Sequence, residues 1–99
     1  MFDKMKQLME LKKQADQIKK QLDAVSVDIS DVRGIKISIN GSQHFNSIDI
    51  DPSLLTPENK KRFEGELLRS LNLAVRKSQE VAAIKMKDVM PGLSGFPGL

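Results

Sequence analysis

Ile35-Lys36-Ile37-Ser38-Ile39-Asn40-Gly41 is the stretch that decides how this chain is read. Isoleucine stands at every second position with a polar residue between, the two-residue repeat of a strand with one face buried. Asn40-Gly41 marks a hairpin, because both central positions of a type I′ turn need positive φ. On the N-terminal side Val25, Val27 and Ile29 alternate with Ser26, Asp28 and Ser30. That is another half-buried strand, joined to the first by a turn at Asp31-Val32-Arg33-Gly34. On the C-terminal side a third strand is expected over about Gln43 to Asp51. It places Ile48 and Ile50 on one face and Phe45 on the other, which calls for a bulge or for a sheet covered in part on both faces. The three strands make an antiparallel meander.

Helices flank the sheet. Phe2 to about Asp23 holds no Gly or Pro, and Leu8, Leu11, Ala15, Ile18, Leu22 and Val25 recur at spacings of three and four, a heptad-like apolar seam. Met5 and Met9 lie off that seam and widen it towards the N-terminus. After Asp51-Pro52 closes the sheet, Thr56-Pro57-Glu58 reads as an N-cap, a first-turn Pro and a first-turn acid. A long helix is expected from about Pro57 to Lys87, with Phe63, Leu67, Leu71, Ala74, Val75, Ser78 and Ala82 as its buried face. Gly65 interrupts it at a cost of roughly 1 kcal/mol relative to Ala, marking a close contact or a weak first turn. The fold class is therefore α+β, ordered α-β-β-β-α. Residues 1–89 form one domain, and 90–99 form a Gly/Pro-rich flexible tail in which Met90, Leu93, Phe96 and Leu99 are spaced by three. Two long helices on a three-stranded sheet give a thin core for a monomer. A homodimer is expected to bury the seam or a sheet edge between chains.

Composition removes several function classes. With 99 residues the chain has room for one domain, and without cysteine it has no disulfide, thiolate metal site or cysteine nucleophile. Aromatic residues make up 4%, with no Trp or Tyr, too few rings for a platform that stacks single-stranded nucleic acid. The N-terminal ten residues mix apolar and charged side chains, unlike a signal peptide or a membrane span. The single histidine, His44, has only Asp49 and Asp51 near it in sequence; those two acids read as strand-exit residues rather than a cation site. No phosphate loop, nucleophile elbow or metal pattern is present, so neither an enzyme nor a cofactor is expected.

The net charge of +3 matters only if it is sorted in space. It is: the first helix, through Asp23, carries six Lys against four acids; the sheet region, Ala24 to Pro57, carries two basic residues against four acids; and Glu58 to Lys87 carries eight against four. At about 100° per residue, Lys6, Lys13, Lys20 and Lys19 are expected to project opposite the seam, with Lys6, Lys13 and Lys20 rising about 10 Å apart. Gln7, Gln14, Gln17 and Gln21 fill a neighbouring flank. Ammonium groups suit point contacts to phosphate rather than bidentate base reading. The plain alternative is the solvated face of any amphipathic helix. Lys60-Lys61-Arg62 sets positive charge against the dipole at the start of the second helix, which points to an anion or to neutralisation by Asp49, Asp51 or Glu58.

Read together, several stretches resemble the YbaB/EbfC family. They are the Lys/Gln-rich first helix, Ile35 through Gly41, Ile48-Asp49-Ile50-Asp51-Pro52-Ser53-Leu54-Leu55, Leu71-Asn72-Leu73-Ala74-Val75-Arg76-Lys77, and the ending Gly95-Phe96-Pro97-Gly98-Leu99. The resemblance implies a tweezer-like homodimer with protruding helices. It also implies a cytoplasmic, nucleoid-associated protein that binds double-stranded DNA with little sequence specificity and serves nucleoid organisation or gene regulation. Lys6, Lys13, Lys19 and Lys20 are the first candidates for phosphate contact, with Lys60, Lys61, Arg62 and Arg76 second. No membrane and no small-molecule substrate is expected. The rival reading is a protein-interaction or assembly module that uses the helical seam and the apolar tail.

Overall fold

A computed structural model describes residues 2–89, and the expectation of a flexible tail over 90–99 lies outside them. The order is α1 (Phe2–Ala24), β1 (Ser26–Val32), β2 (Ile35–Asn40), β3 (Phe45–Ile50), two single 3-10 turns (Pro52–Leu54 and Pro57–Asn59), and α2 (Lys60–Val89). The strands form the expected meander, β1-β2-β3, antiparallel throughout.

Two irregularities put every branched side chain on one face. Val27 pairs with Ile39 and Ile29 with Ile37, but the next pair is Val32 with Ile35. The slip between Ile29 and Val32 returns Val32, rather than Asp31, to the buried side. The connection is then only Arg33-Gly34, with Gly34 at φ 91, the left-handed value that a side chain disfavours at such a corner. In β3 the register shifts between Ser38 and Ile39, so that Phe45 pairs with Ile39 while Ile48 and Ile50 pair with Ile37 and Ile35. Phe45 therefore shares the face of Ile48 and Ile50, contrary to the sequence expectation of opposite faces. Of the two explanations the sequence left open, the bulge is the one realised. The other face of the sheet, with Asp28, Lys36, Ser47 and Asp49, is exposed and polar.

The β2–β3 hairpin is present, but its turn is not type I′. Asn40 N–H donates to the His44 carbonyl at 2.9 Å, enclosing three loop residues. The left-handed position is taken by Gln43, φ 66, and not by Gly41, the pattern of a type I turn followed by an αL residue. The Asn40 side-chain oxygen accepts from the backbone of Ser42 at 2.9 Å and of His44 at 3.0 Å, holding the loop from inside. Gly41 is needed for a different reason. Its N–H donates to the Leu22 carbonyl at 2.8 Å, and a Cβ there would stand 2.8 Å from that same oxygen. The end of α1 rests on the loop at this point, reinforced by Ser42 Oγ donating to the Asp23 carboxylate.

α2 covers β1 and β2. The core joins Ile29, Val32, Ile35, Ile37, Ile39 and Ala74, with Phe63, Leu67, Leu71, Leu73 and Val75 packed around it. The expected buried face of the helix is observed, with Ser70 and Leu73 added. Ser70, Ala74 and Ser78 recur every four residues and all have zero exposure, so small side chains let the helix lie close to the sheet. Burying two hydroxyls is offset by hydrogen bonds. Ser70 Oγ donates to Asp31 at 2.7 Å and Ser78 Oγ to the Asn40 carbonyl at 2.7 Å. The helix proper begins at Lys60, three residues later than expected. Thr56 is extended and makes no side-chain cap, because Pro57–Asn59 forms its own 3-10 turn. Gly65 faces open space, so no close contact among the described residues explains it.

Among the described residues, α1 is held only at its C-terminal end. Ile18 is buried and Leu22 half-buried, whereas Leu8 is 65% exposed. The radius of gyration, 18.6 Å, far exceeds the ~13 Å of a compact chain of this length. The excess comes from helices that run past the sheet, giving extents of 66 × 23 × 18 Å.

Candidate nucleic-acid interface

α1 carries the first set of candidate cations. Lys6, Lys13, Lys19 and Lys20 are all exposed, and among the described residues none of them has a carboxylate within ion-pair distance. Pairs of Asp16 with Lys12 or Lys20, permitted by four-residue spacing, are not formed. Lys6, Lys13 and Lys20 share one line along the helix, as the spacing requires. Lys19 does not join them. It sits beside the seam, at the rim of a groove lined by Leu11, Ala15, Ile18, Leu22 and Met86. Its place follows from the 100° step: it stands about 60° from Leu22, three residues on, and not opposite it. Lys4 and Lys12, which sequence reasoning did not single out, are also exposed and outside any ion pair among the described residues.

The second cluster is mostly spoken for. Lys60 Nζ lies 3.8 Å from Glu64 and Arg62 Nε 3.1 Å from Glu66. The neutralising acids are thus the next turn of the same helix, and not Asp49, Asp51 or Glu58. Lys61 and Arg76 are exposed and outside any ion pair among the described residues. The structure does not bring this cluster to the α1 face, since α1 meets α2 beyond the sheet, near Met86, whereas Lys60–Arg62 stand at the helix start.

Arg62 does meet a cation that the sequence reading passed over. With Arg33 it borders an open hollow of about 690 Å³ that also includes Gly34, Asp51 and Ser53. Only the β1–β2 turn brings Arg33 there, so no local spacing signals it. Asp51 accepts the Ser53 backbone N–H at 2.9 Å. That bond, then the Ser53 hydroxyl, and last the nearby Arg33, hold its carboxyl below its ordinary value against a small opposing effect of desolvation. The hollow mixes cations with Asp51 and Glu66, so it offers an anion no consistent field. His44 is exposed. Among the described residues no group of three His, Cys, Asp or Glu stands together to hold a metal, and no helix is long and apolar enough to cross a membrane.

The sequence matches a known family model, that of the YbaB/EbfC DNA-binding family, over residues 1–93. This chain belongs to the YbaB/EbfC family. It is also similar to a nucleoid-associated protein of Ruminiclostridium cellulolyticum, 28% identical over 96 residues, covering 96% of this chain and 84% of the relative.

Proposed function

We propose that this chain is a nucleoid-associated protein that binds duplex DNA as a homodimer with little sequence specificity, serving nucleoid organisation or gene regulation in the cytoplasm. The observation that carries the reading is the line of Lys6, Lys13 and Lys20 on a projecting helix, with no carboxylate partner among the described residues. Lysine presents a compact charge on a flexible stem. It fits phosphates at many positions and reads bases poorly. α1 is about 34 Å long, close to one turn of duplex. The family's name and the nucleoid-associated relative support the same partner. The acidic, serine-rich sheet face is the wrong surface for it, and the reading involves no catalytic step and no cofactor.

The dimer is argued from what α2 leaves bare. The helix covers two strands of three, so Phe45 and Ile48 remain 43% and 46% exposed although they share the core face. Ser70 and Arg69 reach Asp31 on the β1 side, so at 100° per residue Leu71 stands on the flank towards β3. Leu71 and Ile50 are half-buried. The result is one apolar patch beside a free strand edge, the feature that a second copy covers. Light scattering should give about twice the 11.1 kDa chain mass. Phe45→Ser with Ile48→Ser should return it towards the single-chain mass. A wild-type monomer at micromolar concentration refutes the dimer. A labelled random duplex should bind at low salt and be released as salt rises; no binding at low salt refutes the DNA reading.

A further inference from the structure

α1 and the end of α2 enclose a groove of about 440 Å³ lined by Leu11, Ala15, Ile18, Lys19, Leu22 and Met86. We propose that this groove receives an amphipathic helix of another protein, one whose apolar stripe is flanked by carboxylates. The inference stands apart from the DNA and dimer readings, since it uses the face of α1 opposite the line of Lys6, Lys13 and Lys20.

Shape is the first argument. Leu11, Ala15, Ile18 and Leu22 follow spacings of four, three and four, the seam on which one helix packs its side chains between those of another. From Leu11 to Leu22 the seam runs about 16 Å, or about three turns. Ala15 is exposed in the middle of that run, and its small side chain leaves depth for a large one from a guest helix. Met86 stands on the α2 side, an unbranched side chain that adapts to what it meets. The seam is open at its far end, with Leu11 54% exposed.

Charge names the occupant. Among the described residues that line the groove, Lys19 is the one that carries charge. Lys12 stands seven residues earlier on the same side of α1. Both are exposed, and neither has a carboxylate within ion-pair distance among the described residues. Asp23, four residues after Lys19, accepts the Ser42 hydroxyl, and Asp16 stands about 100° round the helix from Ala15, off the groove. The rim therefore offers a guest two cations about 10 Å apart along the helix. A second copy of α1 does not answer them. Laid antiparallel it sets Lys12 against Lys19, and laid parallel it sets both against Gln7 and Gln14. Carboxylates on the flanks of a foreign helix do answer them, each pairing with an exposed ammonium group.

The probe is a synthetic helix with Leu at the a and d positions of two heptads, Glu at e and g, and Ala elsewhere. Its counterpart carries Lys at e and g. Added to full-length ¹⁵N protein, the Glu peptide should shift amides from Leu11 to Leu22 and around Met86, and leave those of β3 in place. By fluorescence anisotropy the Lys peptide should bind about tenfold more weakly. Lys12→Glu with Lys19→Glu should reverse that preference, with circular dichroism unchanged because both side chains are exposed. Ala15→Arg, which fills the middle of the groove, should weaken both peptides about tenfold. No binding of the Glu peptide, a preference that the double charge reversal leaves as it was, or shifts confined to other elements overturns the proposal. So do the same amide shifts on concentrating the wild-type protein alone, which would assign the groove to a second copy.

Discussion

The same substitution, Gly to Ala, should have opposite signs at two positions of this chain. At Gly41 the added Cβ would stand 2.8 Å from the Leu22 carbonyl oxygen and 3.2 Å from the Leu22 Cα. Both are backbone atoms, so the clash is relieved only by moving the end of α1. Moving it lengthens the 2.8 Å bond from Gly41 N–H to that carbonyl. Overpacking costs about 1–3 kcal/mol and a weakened hydrogen bond about 0.5–1.5. The stiffer unfolded chain offsets about 0.4–1 of this. Gly41→Ala should therefore destabilise by about 1–3 kcal/mol, a fall in Tm on the order of 10 °C for a domain of this size. Gly65 has nothing within 4 Å of its virtual Cβ and lies inside α2. Gly65→Ala should stabilise by about 0.8–1 kcal/mol through helix propensity alone. Thermal unfolding followed by circular dichroism reads both, and hydrogen exchange should place the Gly41 effect in α1. Gly41→Ala with an unchanged midpoint and unchanged α1 exchange would refute the packing account of this junction.

Ser78→Ala removes a fully buried hydroxyl bonded to the Asn40 carbonyl, which keeps a second, 3.2 Å bond from Gln43 N–H. It should cost about 1 kcal/mol in urea denaturation, and a neutral result would mean that the buried serines serve only for their small size. Asp51 is held below its ordinary value of 3.8 in the folded chain. Its contribution is present above that value and disappears as pH falls through the lowered one. Unfolding of Asp51→Asn measured across that acid range should show a stability gap from wild type at neutral pH that closes at low pH; a gap that persists would trace the loss to something other than the charge.

How far the sequence reaches depends on whether a feature is local. Two-residue alternation was enough for β1 and β2, and the spacing of Phe63, Leu67, Leu71, Ala74 and Ser78 for the inner face of α2, because each follows from the chain's own period. The bulges were not accessible in this way. They depend on which residue lies opposite on a neighbouring strand, and they decide that Val32 and Phe45 turn inward and that Asp31 meets Ser70. Gly41 shows the same divide, since its glycine is demanded by a helix end nineteen positions earlier in the chain and not by its own turn. The pairing of Lys60 with Glu64 and Arg62 with Glu66, by contrast, was written in four-residue spacing. So was the place of Lys19 beside the seam. Of the candidate interface, the exposed line of Lys6, Lys13 and Lys20 was legible; the burial partners that leave α1 standing out from the body were not.

The salt dependence of duplex binding tests the central claim most directly. Each phosphate contact contributes about 0.9 to the slope of log affinity against log salt. Replacing Lys6, Lys13 and Lys20 together by Gln keeps the helix and should flatten the slope by about 2.7 for each α1 arm engaged. Lys60→Gln with Arg62→Gln should change it far less, because those side chains are already held by Glu64 and Glu66. A slope unaltered by the α1 triple substitution would mean that DNA meets this protein somewhere other than the projecting helix.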